Sequence, residues 1–126
     1  MSVDVMLGAH ADTTRLDIHE VVRRMNNHLG ATVVAALAGS RDPKAPYRWA
    51  KPDGPVPRDD AQDRLRVAHR VWTALADAES EHTARNWFVG TNPLLDERSP
   101  VMALRDGLVR EVAQAATAFL TGTWTA

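Results

Sequence analysis

The chain contains no cysteine. Disulfides, thiolate nucleophiles and cysteine-based zinc sites are excluded together, and the absence fits a reducing, cytoplasmic setting. Long apolar runs are missing too. No window approaches the roughly 18 consecutive apolar residues of a membrane helix, so no membrane partner is expected. The opening MSVDVMLGAHADTTR carries acids and no apolar core, and is not expected to be a signal peptide. Charge of one sign is not in excess: 15 Lys and Arg stand against 16 Asp and Glu, a net of −1. Nothing global draws such a chain to a polyanion, so any nucleic-acid contact must come from a local patch.

The usual signs of catalysis are scarce as well. There is no glycine-rich phosphate loop and no nucleophile elbow. HEVVR at His19 begins like a zinc-protease signature, but Arg23 stands where the second histidine ligand is required. The five histidines, at 10, 19, 28, 69 and 82, show no ligand spacing, and ordinary surface or core roles account for them. The acid pairs Asp59-Asp60 and Asp96-Glu97 are neighbours in sequence, so their side chains diverge and serve better as caps than as an acid/base couple. Neither an enzyme nor a cofactor or metal site is expected.

What is present is helical periodicity. With 126 residues and 44% hydrophobic content, one ordinary globular domain or two very small ones are possible. Residues 1–16 are weakly patterned and read as a flexible N-terminus. From Asp17, apolar residues at 18, 21, 22, 25 and 29 mark a helix stopped by Gly30, and a shorter one ends at Gly39. Asp42 and Pro43 open a third. Lys51-Pro52 closes it, because a residue before proline resists helical geometry. The longest helix follows, over about 59–78, with Leu65, Ala68, Val71, Trp72 and Leu75 on one stripe. Ser80 caps the next, and a last helix covers 108–120 before Gly122. No alternating strand pattern occurs. The expected fold is all-α: a helix-turn-helix-like region over 17–57, a connecting helix over 58–79, and a small C-terminal helical domain over 80–126.

Two stretches stand out. In the first, Lys44, Tyr47, Arg48 and Lys51 fall on one face of the third helix. With Arg41, residues 41–51 hold four bases against the single acid Asp42. This concentrated basic patch sits at helix-turn-helix spacing and is a candidate for contact with phosphates and guanine edges. A solvated basic helix is the plainer alternative, and Pro46 and the acidic surroundings weaken the case for DNA contact. The second stretch is WFVGTNPLLDERSPVMALRDG, residues 87–107. Trp87 and Phe88 anchor a helix end, Asn92 precedes Pro93 in a side-chain-stabilised turn, and Leu94 and Leu95 plug that turn onto the core. Ser99-Pro100 starts a short helix through Leu104, and Gly107 stops it. A rigid unit without chemistry suggests docking; plain scaffold is the alternative.

The pattern Trp87-Phe88, Asn92, Leu95, Pro100, Leu104, Gly107 resembles the toxin-binding domain of the Xre/MbcA/ParS antitoxin family. The stretches DPKAPYRWAKPDGPVP and DRLRVAHRVWTAL look like that family's Xre-like region and connecting helix, so the resemblance spans about 17–122. It implies a type II antitoxin. Its partner would be a RES-domain toxin that depletes NAD, held with the active-site cleft blocked. The resemblance also implies homodimers, hetero-oligomers with the toxin, and binding to the protein's own promoter DNA. Candidate toxin contacts are then Arg98, Arg105, Arg110 and Trp124. A stand-alone helix-turn-helix regulator and a small helical adaptor are the competing readings.

Overall fold

The computed structural model describes residues 16–122. The N-terminal stretch falls outside them except for Leu16, which packs on the core and accepts a hydrogen bond at its carbonyl from Arg66 Nη1 at 2.9 Å. Seven α-helices and one 3-10 turn follow: α1 (Ile18–Leu29), α2 (Ala31–Ala38), α3 (Ala45–Trp49), α4 (Asp59–Ala78), α5 (Glu81–Val89), the turn Pro93–Leu95, α6 (Pro100–Arg105) and α7 (Val109–Thr121). The all-α expectation holds, and among the described residues there is no strand beyond an isolated bridge between Asn92 and Arg98.

The periodic stripes bury as their spacing demands. Ile18, Val21, Val22, Met25 and Leu29 face inward from α1, and Leu65, Ala68, Val71, Trp72 and Leu75 from α4. Glycine ends α2 and α7 in the left-handed conformation, Gly39 at φ +81° and Gly122 at φ +73°, where a side chain would be strained. Ser80 caps α5 through its hydroxyl, which accepts from Thr83 N–H at 3.0 Å. At the start of α1 the Asp17 side chain makes no cap hydrogen bond; its backbone carbonyl accepts from the Glu20 and Val21 amides.

One core runs from Ile18 to Ala116. The twenty residues of α4 are therefore no bare connector, because α1, α2, α5, α6 and α7 all pack on this helix. The N-terminal helices also meet the C-terminal ones directly, α2 lying along α6. A train of rings crosses the same junction. His28 stacks on Trp72 at 4.4 Å, Trp72 meets Phe88 at 6.2 Å, and Phe88 meets Trp87 edge-to-face at 5.4 Å.

Candidate docking surface and basic face

The basic face is built on a very short helix. α3 has five residues, Ala45–Trp49, and so occupies only part of the span that the sequence marks from Pro43 to Lys51. Isolated helices this short are unstable, so its order must come from packing and tethers. Ala45 and Pro46 are buried, and Pro46 lies in the first turn, where its missing N–H costs nothing. Two α1 side chains catch α3 carbonyls: Asn26 Nδ2 donates to Pro46 O at 3.0 Å, and His19 Nδ1 lies 2.8 Å from Trp49 O. Asp42 Oδ1 accepts from the Lys44 amide at 2.9 Å and fixes the entry.

Arg41, Lys44, Tyr47, Arg48 and Lys51 are all exposed, as their spacing requires, and Tyr47 reaches 62% exposure. Arg48 is not idle, since its Nη2 pairs with Asp42 Oδ2 at 2.7 Å and the guanidinium holds that carboxyl below its ordinary range. Trp49 is half-buried against the core. A single turn of helix presents fewer side chains to a groove than a recognition helix does.

The 87–107 unit is ordered by its own polar groups. Asn92 is 3% exposed. Its Oδ1 accepts from Leu94 N–H at 2.9 Å, its amide donates to Arg98 O at 3.0 Å, and its carbonyl accepts from the Leu95 and Glu97 amides. Both backbone groups of this buried residue thus have partners, as burial requires. The loop so closed holds Asp96 at φ 56° and Glu97 at φ 65°. Two successive non-glycine residues in the left-handed region cost on the order of 1–2 kcal/mol each, tolerated only where surroundings impose them. Ser99 Oγ accepts from Met102 N–H at 3.1 Å, with Pro100 in the first slot of α6. Trp87, Leu95, Pro100 and Leu104 are buried, and Gly107 takes φ +84° after α6.

While its anchors point in, the unit also points apolar groups out. Among the described residues five large hydrophobics are exposed, and three of them, Val89 at 53%, Leu94 at 48% and Met102 at 45%, lie in this stretch. Leu94, expected to plug the turn together with Leu95, instead points outward, and the outward direction of Val89 and Met102 is invisible to a periodicity that weighs only inward stripes. The signal available was an apolar residue out of register: Leu94 beside buried Leu95, and Met102 between buried Val101 and Ala103.

The arginines expected beside this surface divide. Arg98 is exposed and approaches Asp106 at 3.5 Å. Arg110 is exposed at the start of α7. Arg105 is half-buried and donates through Nη1 to Ala36 O at 3.2 Å, so it serves the chain's own α2–α6 seam. Trp124 lies outside the described residues. Among those residues, no group of His, Asp and Glu is arranged to hold a metal ion, and no helix is long and apolar enough to cross a membrane.

No protein-family model matches the sequence, and no curated protein matches it either. A solved structure does: a chain from the crystal structure of the M. tuberculosis MbcT-MbcA toxin-antitoxin complex, 22% identical, with a TM-score of 0.64 over 87% of this chain and 100% of that one. The two chains share a fold. The neighbour is of the kind that the motif at 87–107 resembles. With 87% of the chain covered, neither the basic face's half nor the C-terminal half can lie wholly outside the match.

Proposed function

We propose that this protein is an antitoxin that binds a RES-domain, NAD-depleting toxin and neutralises it by covering the active-site cleft. The observation that carries this reading is the placement of Val89, Leu94 and Met102, exposed apolar groups on a unit locked rigid by Asn92, Ser99 and buried Trp87. A pre-ordered unit loses little freedom on binding, and exposed apolar side chains on it mark an interaction surface. The fold it shares with a chain of a toxin-antitoxin complex supports the same partner class. Arg98 and Arg110 flank this surface in the proposal, and Trp124 adds an aromatic anchor from the C-terminus. Arg105, occupied at Ala36, contributes by holding the unit in place. Complexes with toxin, and homodimers, are placed in the cytoplasm.

Co-expression tests it. The chain should rescue growth from a RES-domain toxin encoded beside it, and the triple variant Val89→Asp, Leu94→Asp, Met102→Asp should fold but fail to rescue. Arrested growth with both proteins soluble, or full rescue by the triple variant, would sink the reading.

A second activity, autoregulation through promoter DNA, rests on the exposed set Arg41, Lys44, Tyr47, Arg48 and Lys51. Phosphate contact by these residues predicts binding that weakens steeply with salt and with little dependence on sequence. A single-turn α3 favours backbone contact over base reading.

A further inference from the structure

A recess of about 570 Å³ opens where the C-terminus of α2, the side of α3 and the start of α4 meet. Its walls include Trp49, Ser40, Arg41, Arg58, Arg64 and Asp60. Three guanidinium groups thus face one carboxylate, leaving the recess two positive charges in excess, in a chain whose net charge is −1. Such a local reversal is not explained by the core or by the exposed apolar unit.

The three arginines differ in readiness. Arg64 is the deep one, its side chain 18% exposed, and it is held in place by Ala38 O at 3.1 Å and Asp60 Oδ2 at 3.4 Å. Gly39 permits this, since a Cβ there would stand 2.7 Å from Arg64 Nη1. A guanidinium carries five N–H donors, so two anchoring contacts leave others for a ligand. Arg58 is at the rim, 90% exposed, and approaches Asp60 only to 3.8 Å. Arg41 has no hydrogen-bond or ion-pair partner among the described residues. One fixed donor fork, with two loosely held or free forks at the edge, suits a phosphate, which guanidinium binds in planar bidentate fashion. Trp49 supplies an indole wall beside them, and every nucleobase has a flat face that stacks on such a ring. The volume falls within the range of small-molecule sites.

We propose that this recess binds a free nucleotide, its phosphates on Arg41, Arg58 and Arg64 and its base against Trp49. A duplex fits less well: its phosphates can meet the rim at Arg58 and Arg41, but Arg64 and the half-buried indole lie deeper than a stacked, paired base can reach. This site is separate from the 87–107 surface, so its failure leaves the antitoxin reading standing.

Titration calorimetry on the full chain tests it, with ADP, adenosine, inorganic phosphate and a short DNA duplex as separate probes. ADP should bind at least tenfold more tightly than adenosine or phosphate alone. The exposed-site variant Arg41→Ala, Arg58→Ala should lose at least tenfold for ADP with an unchanged melting temperature. ADP should quench tryptophan emission in the parent and not in Trp49→Phe. No heat with millimolar ADP, equal affinity for ADP and phosphate, an unaltered affinity in the double arginine variant, or binding of the duplex alone would each overturn the proposal.

Discussion

Trp87 offers the sharpest test of how the 87–107 unit is held. Its indole is only 9% exposed, it packs edge-to-face on Phe88 at 5.4 Å, and its Nε1 is buried with no acceptor. Truncating a buried Trp to Ala costs about 3–5 kcal/mol. Trp87 also walls a recess of about 250 Å³ beside Phe119 and Asn92, so neighbours have room to relax, and the lower end, about 3 kcal/mol, is expected. Set against a total stability of roughly 5–15 kcal/mol, that is a large loss, visible as a drop in Tm of roughly 10 °C or more. Trp87→Phe separates two contributions. It leaves a smaller cavity, and it also removes a buried N–H whose unpaired state costs about 1–3 kcal/mol. The two nearly cancel, so Trp87→Phe should melt within a few degrees of the parent. Thermal unfolding followed by circular dichroism reads both variants. Equal damage from Phe and Ala would refute the reasoning, because it would mean that the indole N–H has a partner and that its hydrogen bond, not ring burial, anchors the unit.

Three further outcomes follow from the same geometry. His69 is 4% exposed, and burial, with the positive charges of Arg24, His28 and Arg66 against the single Glu20, pushes its imidazole from 6.5 down to about 4. The unfolded chain takes up that proton first, so this contribution is intact above about pH 6.5 and falls away toward pH 4, by on the order of 1–3 kcal/mol; denaturant melts should show the slope, and His69→Gln should flatten it. Gly39→Ala combines a left-handed φ of +81° with a Cβ 2.7 Å from Arg64 Nη1, so it should cost roughly 2–4 kcal/mol by urea unfolding, against no more than about 1 kcal/mol for Ser99→Ala, which removes only the cap of α6. Replacing Arg41, Lys44, Arg48 and Lys51 together by Ala should weaken any promoter binding and flatten its salt dependence by roughly one unit of slope for each phosphate no longer neutralised; unchanged binding at matched salt would remove the basic face from consideration.

Most of the helical layout was legible because it is written in local signals. The stripes of α1 and α4, the glycine stops at 39 and 122, and the caps at Ser80 and Ser99 act within a few residues of where they stand. Length and tertiary order were less legible. α3 is shorter than its basic spacing suggested, because Asp42 and Lys44 spend their polar groups on the turn ahead of it and its carbonyls are claimed by Asn26 and His19, some twenty and thirty residues away. Such tethers have no period to detect. The exposed apolar trio was hidden for a different reason. Val89, Leu94 and Met102 each adjoin a buried neighbour, and a pattern that counts apolar residues cannot say which of two points outward. The role of Arg105 was misleading for a third reason, since charge in a helix's last turn reads as surface, while its guanidinium reaches 69 residues back to Ala36 O.

That long reach bears on how the two halves are joined. Helix α2 ends on carbonyls that carry the negative end of its dipole, and no further turn follows to neutralise it. Two arginines from distant parts of the chain supply donors there: Arg64 of α4 at Ala38 O and Arg105 of α6 at Ala36 O. A cation at a helix C-terminus is favourable in itself, and here it also ties the end of α2 to α4 and α6. Arg64 Nη2 lies 3.6 Å from where a Cβ on Gly107 would stand, an ordinary van der Waals distance, so the guanidinium at the end of α2 also sits beside the end of α6. The basic face begins at Arg41, two residues past Gly39, and the apolar surface ends near Gly107. The same two guanidinium groups therefore lie between the start of the basic face and the end of the 87–107 unit. The shared core from Ile18 to Ala116 makes independent unfolding of the halves costly.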